Sequence, residues 1–403
     1  MRKSITPLLG LAVTGALALQ PGMSNAQSIT DAITGGKAKA DLRLRYETVE
    51  QNNTTEDATA LTLRTRVGYT TATYGGLSST VEFEDTRVVG GQDDYSVPPT
   101  GFQTGSYSVI ADPKSTELNQ GFLKYTNEIV SIKAGRQVLT YDNHRYIGHV
   151  GWRQDRQTFD AISATISPVK DLKLNAAYLG QRNRIFAEAA DINSKDILLN
   201  GSYKTPFGTA VGYGYLLEVD NNVDNSLDTF GLRFSGGTKV ADIKVLYTAE
   251  FATQESEVGA AKSDATYLFL EGGAVVGGIT AKLGYEVLGS DDTDYGFSTP
   301  LATLHKFNGW ADSFILGTPE QGLVDLTVTL SGKVAGGKWL ISYHDFSADE
   351  STTTVDDLGS EIDLLYAKKF GKHYNSGIKY AAYSAGDIEV DTDKLWAWVG
   401  LTF

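Results

Sequence analysis

The chain has 403 residues, no cysteine and a formal net charge of -14 at pH 7. The negative charge argues against a nucleic-acid-binding protein, which needs a basic patch for phosphates, and a chain without cysteine has no disulfides to hold a small secreted fold together. Glycine is abundant at 43, proline is rare at 9 and tyrosine outnumbers tryptophan 21 to 5, a composition typical of β-rich proteins.

The N-terminal segment has the features of a secretory signal peptide. Arg2 and Lys3 precede an apolar run from Leu8 to Leu19, and Ser24-Asn25-Ala26 supplies small residues before a cleavage site. We therefore predict a signal peptide at residues 1–26 and a single domain at residues 27–403. No later apolar stretch approaches the roughly 20 residues of a membrane-spanning helix, which excludes a helical membrane protein.

Alternation of apolar and polar residues begins with the first predicted strand. From Ala38 to Glu47 the even positions are apolar and the odd positions are charged. A helix would scatter these charges over every side, whereas a strand places them all on one face. The alternation predicts further strands at Leu61 to Tyr69, Leu77 to Phe83, Gly121 to Tyr125, Val130 to Ala134, Ala161 to Ile166, Leu172 to Tyr178, Ile197 to Tyr203, Val211 to Leu217, Phe230 to Phe234, Ile243 to Phe251, Leu268 to Gly272, Ile279 to Val287, Leu326 to Leu330, Trp339 to Tyr343, Ile362 to Tyr366, Ile378 to Ala382 and Leu395 to Phe403.

The predicted connections alternate between short and long. Short ones carry turn residues, such as "YGG" at Tyr74 and "SGGTK" at Ser235, and long ones are polar and acidic. The long connections include Asp85 to Thr116, Val138 to Arg156 and Thr253 to Ser263. A soluble sandwich has no reason to place all its long loops on one side, whereas an outer-membrane barrel has short periplasmic turns and long extracellular loops.

These observations predict an all-β, antiparallel, up-and-down transmembrane barrel of about 18 strands in the outer membrane, surrounded by its lipid. In the last strand, Leu395 to Phe403, the odd positions would face lipid, while Trp396 and Trp398 would face the lumen. A terminal Phe403 at this spacing resembles the signal by which the barrel-assembly machinery recognises its clients.

A barrel of this size has a wide lumen, so its inward residues become the candidate pore lining. The early strands contribute basic residues and the late strands more acidic ones, an arrangement suited to carboxylates or sulfated sugars. The alternative is that neighbouring charges pair only to neutralise each other. The early set is Arg43, Arg45, Arg64, Arg66 and Lys124 with Lys133 and Lys173, and the late set includes Glu250, Glu286, Glu361 and Asp363 with Lys244, Lys282 and Lys379.

Two predicted loops are unusually rich in aromatic, His and Arg residues. They are "GRQVLTYDNHRYIGHVGWRQDRQTFDA", residues 135–161, and "STPLATLHKFNGWADSF", residues 298–314. A loop in water has no need of this composition, so we expect both to fold inward as a constriction or plug. Arg136 lies on the apolar parity of its strand, so that either a bulge shifts the register or the strand has already ended.

These two stretches, with "LGYEVLGSDD" at Leu283 and "EIDLLYAKKF" at Glu361, resemble the alginate-export family of bacterial outer-membrane porins. The resemblance covers essentially the whole predicted mature chain. It implies an 18-stranded barrel whose loops restrict a pore that conducts anionic saccharides. The positions that it marks as constriction elements are Arg136, Arg145, Arg153, Arg156, His305, Lys306, Trp310 and Asp312.

No pattern in the sequence points to catalysis. The five histidines include His149 and His305, which we interpret as polar residues of the plug, and the acidic clusters lack the glycine and distal glutamate of a calcium loop. We therefore predict a porin that passes small anionic or saccharide solutes, with no cofactor, no metal and no nucleic-acid partner. The alternative is a barrel that acts through its surface loops, as an adhesin or surface hydrolase. The oligomeric state is left open.

Overall fold

The computed structural model describes residues 26–403, so the predicted signal peptide lies outside the described residues except for Ala26. A short helix, α1 (Ile29–Thr34), precedes the strands, and no helix within residues 26–403 is long and apolar enough to cross a membrane. The strands are β1 (Lys37–Gln51), β2 (Ala58–Thr70), β3 (Leu77–Asp94), β4 (Ser115–Thr126), β5 (Val130–Gln137), β6 (Thr158–Ile166), β7 (Leu172–Asn183), β8 (Ile192–Thr205), β9 (Gly208–Leu217), β10 (Asn225–Val240), β11 (Ile243–Val258), β12 (Ala261–Val276), β13 (Ile279–Leu288), β14 (Ser290–Asp291), β15 (Tyr295–Gly296), β16 (Leu323–Val334), β17 (Gly337–Ser347), β18 (Asp357–Phe370), β19 (Tyr374–Ser384) and β20 (Thr392–Thr402).

Eighteen of these strands form one closed antiparallel sheet. Each strand pairs with its neighbours in sequence, and β1 pairs with β20 from Asp41↔Thr402 to Gln51↔Thr392, which closes the barrel. The short strands β14 and β15 form a separate hairpin. The predicted fold class and strand count are therefore confirmed. Closure of the sheet leaves no unpaired strand edge in contact with lipid.

Side chains on the strands alternate between the outside and the lumen as predicted. In β1, Leu44 is 39% exposed on the outer face, whereas Arg45 and Glu47 are each 1% exposed on the inner face. In β20, Trp396 is fully buried inside and Val399 is exposed outside. This parity follows from the two-residue period of a strand, which is why it is readable from the sequence.

Two predicted loops are shorter in the structure than we expected. The strand β3 continues to Asp94 through much of the stretch predicted as the loop Asp85 to Thr116. The predicted loop Thr253 to Ser263 is wrong, because β11 and β12 pair up to Val258↔Ala261 and turn at Gly259, whose φ of 63° favours glycine. Polar side chains on both faces do not prevent backbone pairing, so a strand end that is predicted from hydropathy alone falls too early in the chain.

The seam between β19, β20 and β1 is closely packed. The ring of Trp398 lies over Gly377, its cross-strand neighbour, where an added Cβ would stand 2.2 Å from the ring. The last residue, Phe403, is exposed, and its N–H donates to the carbonyl of Ala40 at 2.9 Å. The chain end is thus held to the first strand by its backbone.

Candidate functional site

Two long connections fold into the barrel and contact each other. They are residues 138–157, between β5 and β6, and residues 297–322, between β15 and β16; we call them the inner loops. The N–H of Gly148 donates to the carbonyl of Leu301 at 2.7 Å, and the N–H of Thr303 donates to that of His144 at 3.0 Å. The two loops therefore form one hydrogen-bonded unit, a contact that their composition did not predict.

Buried ion pairs attach this unit to the barrel wall. Arg153 donates to Glu47 on β1 at 2.8 Å and to Asp312 on the other inner loop at 3.3 Å. Arg145 lies 3.0 Å from Glu286 on β13 and donates to Asn308 at 3.0 Å. These groups are almost fully buried, so each one depends on its partners for compensation of its lost hydration.

An aromatic cluster seals the inner loops against the seam. Trp152 stacks on His305 with ring centroids 5.0 Å apart and meets the edges of Trp396 and Trp398. Lys379 reaches in from β19, with Nζ 3.5 Å from the ring centroid of Trp310 and 2.6 Å from Nε2 of His305. A cation at this distance is attracted by the negative face of the ring.

The pKa values of His305 and Asp312 are both lowered in this cluster, which favours a neutral imidazole and an ionised carboxylate. Burial lowers the pKa of His305 well below its ordinary value, and the nearby Lys379 acts in the same direction. Burial alone would raise the pKa of Asp312, but its cationic and hydrogen-bonding neighbours outweigh that effect, so its pKa is lowered. A neutral His305 can accept from Lys379 at Nε2 and donate from Nδ1 to Asp312, which lies 2.7 Å away.

The early arginines line the inner wall, but they are engaged by other groups. Arg43 donates to the carbonyl of Trp152 at 2.7 Å, and Arg45 is paired with Asp112 and lies 3.1 Å from Glu47. Arg64 pairs with Asp41, and Arg66 with Glu84. These arginines hold loops and neighbouring strands together, which is the alternative that the sequence left open.

The position of Arg136 differs from the prediction, which placed it in the constriction. Arg136 pairs with Asp160 on β6 at 2.7 Å. The next residue, Gln137, lies on the opposite face of β5, where its side chain is fully buried and accepts a hydrogen bond from the inward-facing Ser163. The strand neither bulges against β6 nor ends before Arg136, and the residue points away from the lumen because the alternation continues. The other arginine marked at the end of this loop, Arg156, reaches Asn119 at 3.1 Å and Glu82.

The late acidic residues form a second buried cluster. Glu361 accepts a hydrogen bond from the backbone N–H of Ala311 at 2.7 Å. Asp363 is fully buried, and its Oδ2 lies 3.7 Å from Nε2 of His344. His344 also bonds Asp325 at 2.9 Å. Glu361 and Asp363 thus lie on the inner wall as predicted, but against an inner loop and not beside open lumen.

A cavity separates the first inner loop from the inner face of β5 to β8, which we call the open wall. The cavity, of about 380 Å³, lies beneath residues 138–142 of the inner loop. Lys133 and Lys173 line it, together with Asp142, Asn175 and Asn200. A chain of hydrogen bonds fixes its floor, from Asn175 to Asn200 at 3.2 Å and from Asn200 to Asp142 at 2.8 Å. No sequence pattern predicted Asp142, Asn175 or Asn200 at this site, although Asn175 shares the inward parity of Lys173.

Four lysines around this open wall have no carboxylate partner. Within residues 26–403, Lys124, Lys133, Lys173 and Lys306 make no ion pair at 4.0 Å or less. Lys306 is exposed and donates to the carbonyl of Asn143 at 2.8 Å. Lys124 and Lys133 are direct cross-strand neighbours, so their positive charges lie side by side. These lysines therefore bring uncompensated positive charge to this wall.

The histidines of the inner loops have structural partners. Among residues 26–403, no group of three or more Asp, Glu or His side chains could hold a metal ion. The His305–Asp312 pair faces Lys379 and not a hydroxyl nucleophile. His149 accepts from the N–H of Gly151 at 3.0 Å through Nδ1, which leaves it a structural residue of the loop.

Solved structures with the same fold are outer-membrane channels at low sequence identity. Acinetobacter baumannii OccAB1 is 12% identical with a TM-score of 0.72, over 94% of this chain and 99% of that one. OccAB4 of the same organism is 12% identical with a TM-score of 0.73, over 91% and 98%. The outer membrane protein OpdK from Pseudomonas aeruginosa is 13% identical with a TM-score of 0.69, over 91% and 98%. At such identities the likeness concerns the fold.

The family comparison is more specific. The model of the family described as alginate export matches residues 36–289, which includes the first inner loop and the open wall. The second inner loop and the stretch at Glu361 lie outside the match. A search of curated proteins finds no match. The chain is an outer-membrane β-barrel channel, not an enzyme, and it belongs to the alginate export family.

Proposed function

We propose that this protein is a porin for passive diffusion of small anionic or saccharide solutes, through the space between the inner loops and the open wall. The observation that carries the proposal is the division of charge in the lumen. The early arginines are engaged by carboxylates and carbonyls, whereas within residues 26–403 no carboxylate lies within 4.0 Å of Lys124, Lys133, Lys173 or Lys306.

The lining of the open wall supports a hydroxylated or anionic solute. Unpaired ammonium groups attract anions across water, and amide and hydroxyl groups can exchange hydrogen bonds with a sugar as it moves. The cavity also has Tyr141 in its lining, a ring held in place by stacking on Tyr215 at 6.3 Å. The inner loops would constrict this path and restrict it to small solutes.

Planar-bilayer recording tests the proposal. In a salt gradient we expect discrete channels with a reversal potential that favours anions. The double substitution of Lys133→Ser with Lys173→Ser should shift that potential towards cations. A unit charge at about 8 Å in water contributes about 0.5 kcal/mol, so each lysine should change the relative anion permeability roughly twofold.

A matched control removes two lysines outside the lumen. Lys195 and Lys262 are exposed near the long-loop end, and Lys195→Ser with Lys262→Ser changes the net charge equally. This variant should keep the original reversal potential. Folded protein that gives silent bilayers would contradict the channel, and an unchanged potential after the luminal substitutions would contradict the anion preference.

A further inference from the structure

The helix α1 exposes an apolar face at the start of the barrel. Ser28 caps the helix, its side chain accepting from the N–H of Asp31 at 3.1 Å. Ile29 and Ile33, one helical turn apart, are 65% and 55% exposed. Ala32 is buried, and its carbonyl accepts from the N–H of Ala72 at 2.9 Å. The helix is therefore docked by one face while its isoleucines point away from the protein.

Contacts of Tyr69 show on which side of the wall the helix lies. Tyr69 belongs to the outward parity of β2, with exposed Val67, and its cross-strand neighbour is Ala38. Its hydroxyl donates to the carbonyl of Ile33. A side chain that points into lipid can reach only a group on the outer side of the wall. The helix thus lies at the outer edge of the barrel, at the end of the short turns.

We infer that α1 is an interfacial anchor, which inserts Ile29 and Ile33 into the periplasmic leaflet of the outer membrane. Tyr74, on the neighbouring turn, and Leu77, at the start of β3, are exposed and continue the apolar surface of the lipid-facing wall. The isoleucines extend this surface, whereas in water they would expose apolar area without compensation. The other positions of the helix, Thr30, Asp31 and Thr34, are polar and suit the headgroup side.

The anchor also restrains the start of β1, at the seam where β1 pairs with β20. The first four residues of β1, Lys37 to Ala40, pair with β2 but extend beyond β20, whose pairing begins at Asp41↔Thr402. One edge of this overhang is therefore unprotected apart from the bond from Phe403 to Ala40. A helix fixed in the interface immediately before the overhang limits its fraying, because it restrains the segment from which β1 begins.

Spin labelling tests the location of the helix, and the chain has no native cysteine to interfere. Ile29→Cys and Ile33→Cys variants, each carrying a nitroxide, are folded and reconstituted into phospholipid vesicles. We expect high accessibility to oxygen and low accessibility to a water-soluble nickel chelate. Asp31→Cys on the polar face should show the opposite ratio, and Leu123→Cys, 64% exposed on the lipid-facing wall, provides the lipid reference.

Two results would overturn the anchor. Nickel accessibility at positions 29 and 33 equal to that at position 31 would place the helix in water. Strong spin–spin broadening that disappears on dilution with unlabelled protein would show that a second copy covers the isoleucines. The heat-modifiable gel shift confirms folding of every variant before the measurement.

Hydrogen exchange tests the role at the seam separately. Ile29→Asp with Ile33→Asp should increase the exchange rates of the amides of Lys37 to Ala40, on the order of tenfold or more, relative to Thr30→Asp with Thr34→Asp. Equal rates in the two double variants would contradict the mechanical role, and the spin-label result decides the location independently.

Discussion

At the scale of single residues, charge in this lumen is used mainly to attach loops. Arg153 connects β1 to both inner loops, and every partner of its guanidinium is buried. A buried pair contributes little net stability in comparison with apolar packing, but loss of one partner leaves an uncompensated charge in a dry site. The specificity of the loop position therefore depends on residues such as Arg153.

Replacing Arg153 should release the inner loops. Arg153→Met removes one of the charges that balance Glu47 and Asp312, leaving Arg45 and Lys394 as their cationic partners, which costs about 3–5 kcal/mol locally. We expect amide hydrogen exchange of residues 138–157 to increase by roughly two to three orders of magnitude, measured by mass spectrometry on the folded barrel. The control is Arg87→Met, whose pair with Asp85 at 2.7 Å is exposed. It should change exchange less than about fivefold. Equal effects of the two substitutions would show that Arg153 does not hold the loops.

At the scale of elements, the closing strand joins two functions. Its inner face carries Trp396 and Trp398, which receive Trp152 of the inner loop, and its outer face contacts lipid. The same strand ends in Phe403, which is exposed and lies 5.3 Å from the ring of His373. The terminal ring makes few contacts in the folded barrel, which agrees with a role before folding is complete.

Deleting Phe403 should impair assembly in cells. The fraction of protein that shows the heat-modifiable mobility of a folded barrel should fall severalfold if Phe403 is the recognition signal that the sequence predicts. Phe207→Ala, at an exposed aromatic in a short turn, is the control and should assemble normally. Normal assembly of the truncated protein would show that Phe403 is not the signal.

At the scale of the whole molecule, the inner loops divide the lumen into a packed side and an open side. The packed side contains neutral histidines that acid can charge. Burial lowers the pKa of His149 from 6.5 to about 4, and His144, Arg156 and Arg66 add to the effect. Burial raises the pKa of Asp155 in the same loop, and this group acts in the opposite sense.

The pH dependence of loop packing should contain a separable contribution from His149. Its pKa is lower in the folded state than the ordinary 6.5, so its contribution to stability is present above pH 6.5 and is lost as the pH falls towards 4. We expect protection of residues 138–157 from hydrogen exchange, corrected for the chemical rate, to fall over this range. The His149→Gln variant should lose that part of the dependence, and His373→Gln, at the short-turn end, should retain it. Identical pH profiles for wild type and His149→Gln would contradict the prediction.

Much of the fold could be predicted because a strand expresses its two faces locally. The alternation in Ala38 to Glu47 and in Leu395 to Phe403 identified lipid and lumen faces without knowledge of any partner. The composition of the inner loops also predicted that they fold inward. The ends of β3 and β11 could not be predicted, because pairing in water depends on the neighbouring strand and not on hydropathy.

The candidate site was predicted less well. The density of Arg43, Arg45, Arg64 and Arg66 on two adjacent strands suggested an anion pathway. Trp152 and Asp112, from loops far along the chain, engage Arg43 and Arg45, and carboxylates of neighbouring strands pair with the other two arginines. The cavity under Asp142 depends on the same loop, so no local pattern marks its polar floor.

Short-range periodicity and composition are enough to predict that this chain closes into a barrel, which residues face lipid, and that two loops differ from ordinary loops. The identity of the free luminal charges, in contrast, depends on the folded structure. Arg145 meets Asn308 across 163 residues of chain, and contacts of that separation cancel some charges and leave others exposed. Electrostatic function depends on such pairing in space, because a neutralised arginine and a free lysine carry the same charge in the sequence.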